Sequence, residues 1–81
     1  MITVKLFARI REELGIAELR WPLESSVPVL IAALAREHGS RWSEELLKPN
    51  VIVAINHQVS SSDSAITDGD EIAFFPPVTG G

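Results

Sequence analysis

Asp68-Gly69-Asp70-Glu71-Ile72-Ala73-Phe74-Phe75-Pro76-Pro77 reads as a turn, a strand and a stop. Short polar side chains around a glycine supply the turn. From Glu71 the pattern has period two, with Ile72 and Phe74 on one face and Glu71, Ala73 and Phe75 on the other. Pro76-Pro77 then ends the strand, because neither residue has a backbone N–H to offer a neighbour. The remaining Val78-Thr79-Gly80-Gly81 carries too little apolar surface to fold back. The expected organisation is one domain over residues 1–75 and a flexible tail over residues 76–81.

Working outward, Met1 to Arg11 alternates as well. Ile2, Val4, Leu6, Ala8 and Ile10 fall on one side, and Thr3, Lys5, Phe7, Arg9 and Arg11 on the other. Period two over this length predicts one half-buried strand. Glu12-Glu13-Leu14-Gly15 breaks the pattern as a turn, and Ala17 to Leu23 alternates again as the return arm of a hairpin. Pro22 places that arm at an edge or marks its end.

Ser25-Ser26 offers a helix N-cap and Pro28 fits a first helical turn. Val27, Leu30, Ile31 and Leu34 follow at i, i+3, i+4 and i+7, which predicts a helix over residues 27–38, closed by Gly39. A short helix is expected over residues 41–47, with Trp42 and Leu46 on one side. Val51 to Ile55 is apolar throughout, the mark of a more deeply buried strand. Asn56-His57-Gln58 is a tight turn into a short strand at Val59. The order β-β-α-β-β with a short extra helix predicts an α+β fold, a mixed sheet of four to five strands packed on one main helix. With the first and last strands as central parallel neighbours this is a β-grasp, the ubiquitin-like architecture. Phe7 and Phe75 then share the sheet face turned away from the helix.

At 81 residues and 46% apolar content, the chain supports one modest core and no disordered class. The longest strongly apolar stretch, residues 27–35, is too short for a membrane span. A net charge of −4 argues against nucleic acid as the main partner. With no cysteine, disulfides, thiolate-held clusters and a cysteine nucleophile are excluded. Met1 leads directly into a strand pattern, so no signal peptide is expected and a cytoplasmic location is.

Few residues here promise side-chain chemistry. His38 and His57 lack ligand spacing, Ser60-Ser61-Ser62-Asp63 matches no nucleophile motif, and Asp68, Asp70 and Glu71 lack the spacing of a calcium loop. No metal site and no acid–base pair is expected. Trp21 and Trp42 read as packing residues. The terminal Gly80-Gly81 is the sharpest feature. Such a pair occurs by chance at about 0.5% frequency, and a frayed end is its plain alternative. Context favours more: a stiff diproline stem, about 20 Å of reach for six extended residues, and a tip without Cβ atoms that threads a narrow channel. A free α-carboxylate is ionised at neutral pH and is a poor electrophile. It therefore needs activation, most simply as an acyl-adenylate. The second feature is Phe7 with Phe75, either two surface aromatics or a docking patch beside the tail, ringed by Lys5, Arg9 and Arg11.

The run from Asp68 to Gly81 resembles the C-terminus of the MoaD-type sulfur carriers, the small subunits of molybdopterin synthase within the ubiquitin-like MoaD/ThiS family. Val4 to Gly15, Arg41-Trp42 and Val53-Ala54-Ile55-Asn56 resemble the same family, so the likeness spans the chain. It implies that Gly81 is adenylated by an E1-like adenylating enzyme using ATP and magnesium. A sulfur donor then converts it to a thiocarboxylate, which gives sulfur to cyclic pyranopterin monophosphate in molybdenum cofactor biosynthesis. It also implies a heterotetramer with the large synthase subunit and no cofactor bound by the chain itself. Carried over by position, Gly81 bears the sulfur and Gly80 lets it enter. Phe7, Phe75, Arg11, Val59, Pro76, Pro77, Val78 and Thr79 contact partners. No nucleic acid or membrane is implied. The alternatives are a sulfur carrier of another pathway, thiamine synthesis or protein modification, and a β-grasp interaction domain with an inert tail.

Overall fold

The computed structural model describes residues 1–77. Eight elements follow in chain order: β1 (Ile2–Leu6), α1 (Ala8–Leu14), β2 (Glu18–Trp21), α2 (Val27–His38), α3 (Ser40–Leu46), β3 (Ile52–Ile55), β4 (Gln58–Ser60) and β5 (Glu71–Phe75). The strands form one mixed sheet in the order β2-β1-β5-β3-β4. The central pair β1–β5 is parallel, with Val4 opposite Ile72 and Leu6 opposite Phe74. The other pairs are antiparallel. This is the expected β-grasp, with first and last strands adjacent at its centre.

Helix α2 has the predicted bounds for the predicted reasons. The Ser26 hydroxyl accepts from the Val29 N–H at 3.5 Å, Pro28 sits in the first turn, and Val27, Leu30, Ile31 and Leu34 are the buried residues. They join Ile2, Val4, Leu6, Val53, Ile72 and Phe74 in one core. Trp42 and Leu46 of α3 complete it, as packing residues. Gly39 lies between the two helices at φ 115°, beyond the comfortable range of an L side chain, and so lets α3 start at once.

The N-terminal reading needs correction. Period two stops at Leu6, and residues 8–14 are helical. Ala8 and Ile10 do not extend the strand face. Ile10 reaches the core from α1, with Leu14 one turn on packed against it, while Ala8 is exposed. Arg-Glu-Glu-Leu favours helix, and an i, i+4 apolar pair serves a helix as well as alternation serves a strand. The change of direction falls on Ala8, whose φ of 51° is left-handed. Gly15, at φ 76°, is the helix C-cap and not a hairpin turn, its N–H donating to the Arg11 carbonyl at 2.8 Å. The β1–β2 connection is therefore a helix-containing loop, and β2 is shorter than expected, ending before Pro22.

The turn after β3 is legible in full. Asn56 and His57 both have positive φ, 52° and 70°, the geometry that suits a two-residue hairpin to the sheet's twist. The Asn56 side chain also accepts from the Glu71 N–H at 3.0 Å and donates to Asp70 at 2.8 Å, tying this hairpin to the start of β5.

Candidate functional site: an aromatic platform at the tail stem

Phe75 ends β5 and Phe7 directly follows β1, so parallel pairing brings both rings to the same end of the open sheet face. They stack with centroids 4.4 Å apart and planes 7° from parallel. The Phe7 N–H donates to the Phe74 carbonyl at 3.2 Å, which fixes the register of the pair. Each ring is half-buried. Pro76 and Pro77 follow at once, so the stack sits at the root of the tail. Val78, Thr79, Gly80 and Gly81 lie outside the described residues.

The pairings extend the platform across the sheet. Ile52 lies opposite Phe75, Ala54 opposite Ala73, and Val59 opposite Ala54. Ile52, Ala54, Ala73 and Val59 thus share the open face with the two rings, and Val59 stands out at 79% exposed. Ile52 is the residue sequence reasoning missed. The signal was present: a strand apolar on both faces in a sheet with helices on one side only implies that its second face is also to be covered.

The basic ring expected around Phe7 does not form as expected. Only Lys5 shares the strand face, and its ammonium lies between Glu71 at 3.3 Å and Glu18 at 3.9 Å. Arg9 and Arg11 are carried away on α1, Arg9 toward Glu13 at 3.9 Å, while Arg11 is an exposed residue of the last turn. Arg11 therefore does not share the open face with Val59. His57 extends the charged row, 3.6 Å from the second oxygen of Glu71. Apolar and charged halves thus divide the face, the apolar half nearest the tail.

At the far end, two carboxylates brace the turn before β5. The N-terminal ammonium donates to Asp68 and holds its carboxyl below the usual range. The Thr67 backbone N–H, then the Asn56 side chain, do the same for Asp70. Both groups are structural and lie at the opposite end of β5 from Pro76.

Among the described residues no side chains assemble into a nucleophile and base. His38 stacks on Trp42 at 4.8 Å and tilts toward Trp21 at 5.8 Å. Ser61 bonds to Asp63 and Ser64 with no histidine near them in the hydrogen-bond network. The described residues contain no group of three metal-ligating side chains, and no helix long and apolar enough to cross a membrane. What the arrangement offers is a preformed apolar platform beside a stiff stem.

Comparison with known proteins bears on what the stem presents. The ThiS family model matches residues 4–81. The chain is 37% identical over 81 residues to the molybdopterin synthase sulfur carrier subunit of Haemophilus influenzae, and 36% identical to that of Escherichia coli, covering all of this chain and all of each relative. Among solved structures, small archaeal modifier protein 1 of Haloferax volcanii superposes with a TM-score of 0.81 at 28% identity, covering 99% of this chain and 98% of that one.

Proposed function

The chain belongs to the ThiS family, and from that premise we propose that it is the sulfur-carrier subunit of molybdopterin synthase. The observation that carries this reading is full-length similarity to two relatives of that name, joined to a stacked aromatic pair at the root of a Gly-Gly tail. The chain is a subunit of a sulfurtransferase, and its described residues hold no nucleophile–base pair.

The chemistry belongs to Gly81. Its carboxylate attacks the α-phosphorus of ATP on an E1-like adenylating enzyme, forming an acyl-adenylate and releasing pyrophosphate. ATP and magnesium are held by that enzyme. A donor of sulfide-level sulfur then displaces AMP to leave a thiocarboxylate, and on the large synthase subunit that sulfur passes to cyclic pyranopterin monophosphate while water restores the Gly81 carboxylate. Gly80 brings no Cβ to the tip, Val78 and Thr79 add reach to the segment, and Pro76-Pro77 stiffens its stem. The apolar half of the open face, Phe7, Phe75, Ile52 and Val59, docks the large subunit, while Arg11, carried off that face on α1, takes no part in this platform.

Co-expression with the activating enzyme followed by intact-mass measurement tests this. The expected gain equals the difference between one sulfur and one oxygen atom, and one residue added after Gly81 abolishes it. A thiocarboxylated chain that fails to support pterin sulfuration with the large subunit overturns the pathway assignment. The likeness to the archaeal modifier supports a second reading, attachment of the activated terminus to a lysine of another protein. A lysine-linked adduct in place of a thiocarboxylate distinguishes it.

A further inference from the structure

A hollow of about 340 Å³ opens on the helix-layer side of the same stem. Its floor is Ile10, Val51 and Pro49, and Pro76 and Pro77 form one wall, with Arg9, Glu45 and Lys48 at the margin. The size is at the low end of the range for ligand pockets, and the lining is mostly apolar. Glu45 is the one buried charged residue among those described, 9% exposed, and the Lys48 ammonium neutralises it at 3.0 Å. Arg9 is different. Its side chain is 72% exposed, and the carboxylate it faces, Glu13, is 3.9 Å away and already engaged by Arg41. The rim therefore carries one net positive charge over an apolar floor, on a protein whose formal charge is −4.

We propose that this hollow is a second docking subsite for the large synthase subunit, receiving one apolar side chain of that subunit with a neighbouring carboxylate that meets Arg9. The inference rests on the sulfur-carrier reading above. Two features choose the occupant. Charge complementarity requires an acidic neighbour, because an exposed guanidinium whose one carboxylate lies 3.9 Å away and is shared with Arg41 gains from a second carboxylate at an apolar rim. Continuity places it in the same interface. Phe75 and Pro76 are adjacent in the chain, so a partner seated on the Phe7–Phe75 stack on one side of the stem meets the hollow on the other. Gripping the stem from both sides fixes the direction in which the tail leaves, which the stack alone leaves open to rotation about one contact.

The test measures the affinity of full-length chain for the purified large subunit, by calorimetry, for the unsubstituted protein, Phe75→Ala, Arg9→Glu and Val51→Phe. Phe75→Ala reports the docking reading itself. The subsite requires that Arg9→Glu weaken binding by about tenfold or more, the scale of one lost charge-assisted contact plus repulsion. It also requires that the salt dependence of the affinity be shallower in Arg9→Glu, with thermal stability only slightly lowered because the Arg9–Glu13 pair it replaces is exposed and weak. Val51→Phe, which fills the hollow from its floor, weakens binding independently of salt. If Phe75→Ala weakens binding while Arg9→Glu and a folded Val51→Phe both bind normally, the subsite is wrong and the platform stands. If Phe75→Ala also binds normally, the platform reading fails as well.

Discussion

Removing one ring of the stack separates interface from core. Phe75→Ala deletes a half-buried side chain that lies flat on Phe7 at 4.4 Å. Full burial of a phenylalanine is worth about 1.5–3 kcal/mol, so the buried part of this ring contributes about 1 kcal/mol to folding. A stacked pair adds about 0.5–1.5 kcal/mol beyond its area. The expected loss of stability is thus about 1.5–2.5 kcal/mol, a fall in Tm of roughly 6–20 °C for a domain of this size. Binding to the large subunit should suffer at least as much. A desolvated aromatic at the centre of a patch costs 2 kcal/mol or more on truncation, about 30-fold in Kd. Phe7→Ala behaves alike, and because each ring supports the other, the double variant is less than additive by about the stacking energy. Calorimetric titration alongside thermal denaturation of the four proteins reads both quantities. A stability loss beyond about 3 kcal/mol with unaltered affinity in the folded variant would refute the reasoning, since it would make Phe75 a core residue.

Three further outcomes follow from other parts of the molecule. Gly39→Ala forces a Cβ into a backbone at φ 115° with no neighbour to blame, so stability falls by about 1–3 kcal/mol in urea titration, from backbone strain alone. Asn56→Ala removes the amide that joins the β3–β4 turn to Asp70 and Glu71 and leaves a positive φ on alanine, a loss of about 1–2 kcal/mol by the same measurement. Asp70, held below the usual carboxylate value of 3.8 by the Thr67 N–H and Asn56, contributes stability that is present above that value and is lost as pH falls through its lower folded value. Acid titration of Asp70→Asn, followed by circular dichroism, should show a shallower loss across that window than the unsubstituted protein.

The sequence carried most of the fold and half of the platform. Helix α2 was legible because an N-cap serine, a first-turn proline and four apolar residues at helical spacing agree. Strand β5 was legible because a turn and a diproline bracket a clean alternation. The N-terminus misled for a definite reason. Leu6, Ala8 and Ile10 continue period two by coincidence, while Ile10 and Leu14 also satisfy a helix, and alternation alone cannot choose between them. Tertiary context chose: Phe7 is the last residue whose N–H finds β5, so the strand ends there. That same change moved Arg9 and Arg11 off the open face and left Phe7 in place, because Phe7 precedes the turn. The hollow beside the stem could not be read from sequence, since its walls come from residues 9–10, 45–51 and 76–77, which only the fold brings together.

On the sulfur-carrier reading, the placement of the stack suits a domain that meets more than one enzyme in turn. A carrier must release one partner before meeting the next, so its docking surface has to bind firmly without rearranging. Phe7 and Phe75 leave the sheet from β1 and β5, the two strands paired at its centre, whose core faces hold Val4, Leu6, Ile72 and Phe74 at 0–1% exposure. The rings are therefore anchored to a buried central pair of strands, so little ordering cost would fall on them in a docking role. The charged row of Glu18, Lys5, Glu71 and His57 borders that grip, its distances of 3.3–3.9 Å set by the same register. An apolar platform gives affinity to any partner with a matching patch, whereas the bordering charges discriminate between partners by the cost of a like charge opposite them. Lys5→Glu leaves the stack and the core untouched but reverses the centre of that row. Its effect should consequently differ between the adenylating enzyme and the large subunit, whereas Phe75→Ala weakens both. Affinities measured for both enzymes decide it: an equal effect of Lys5→Glu on the two would leave the platform as the whole of the recognition surface and remove discrimination from the charged row.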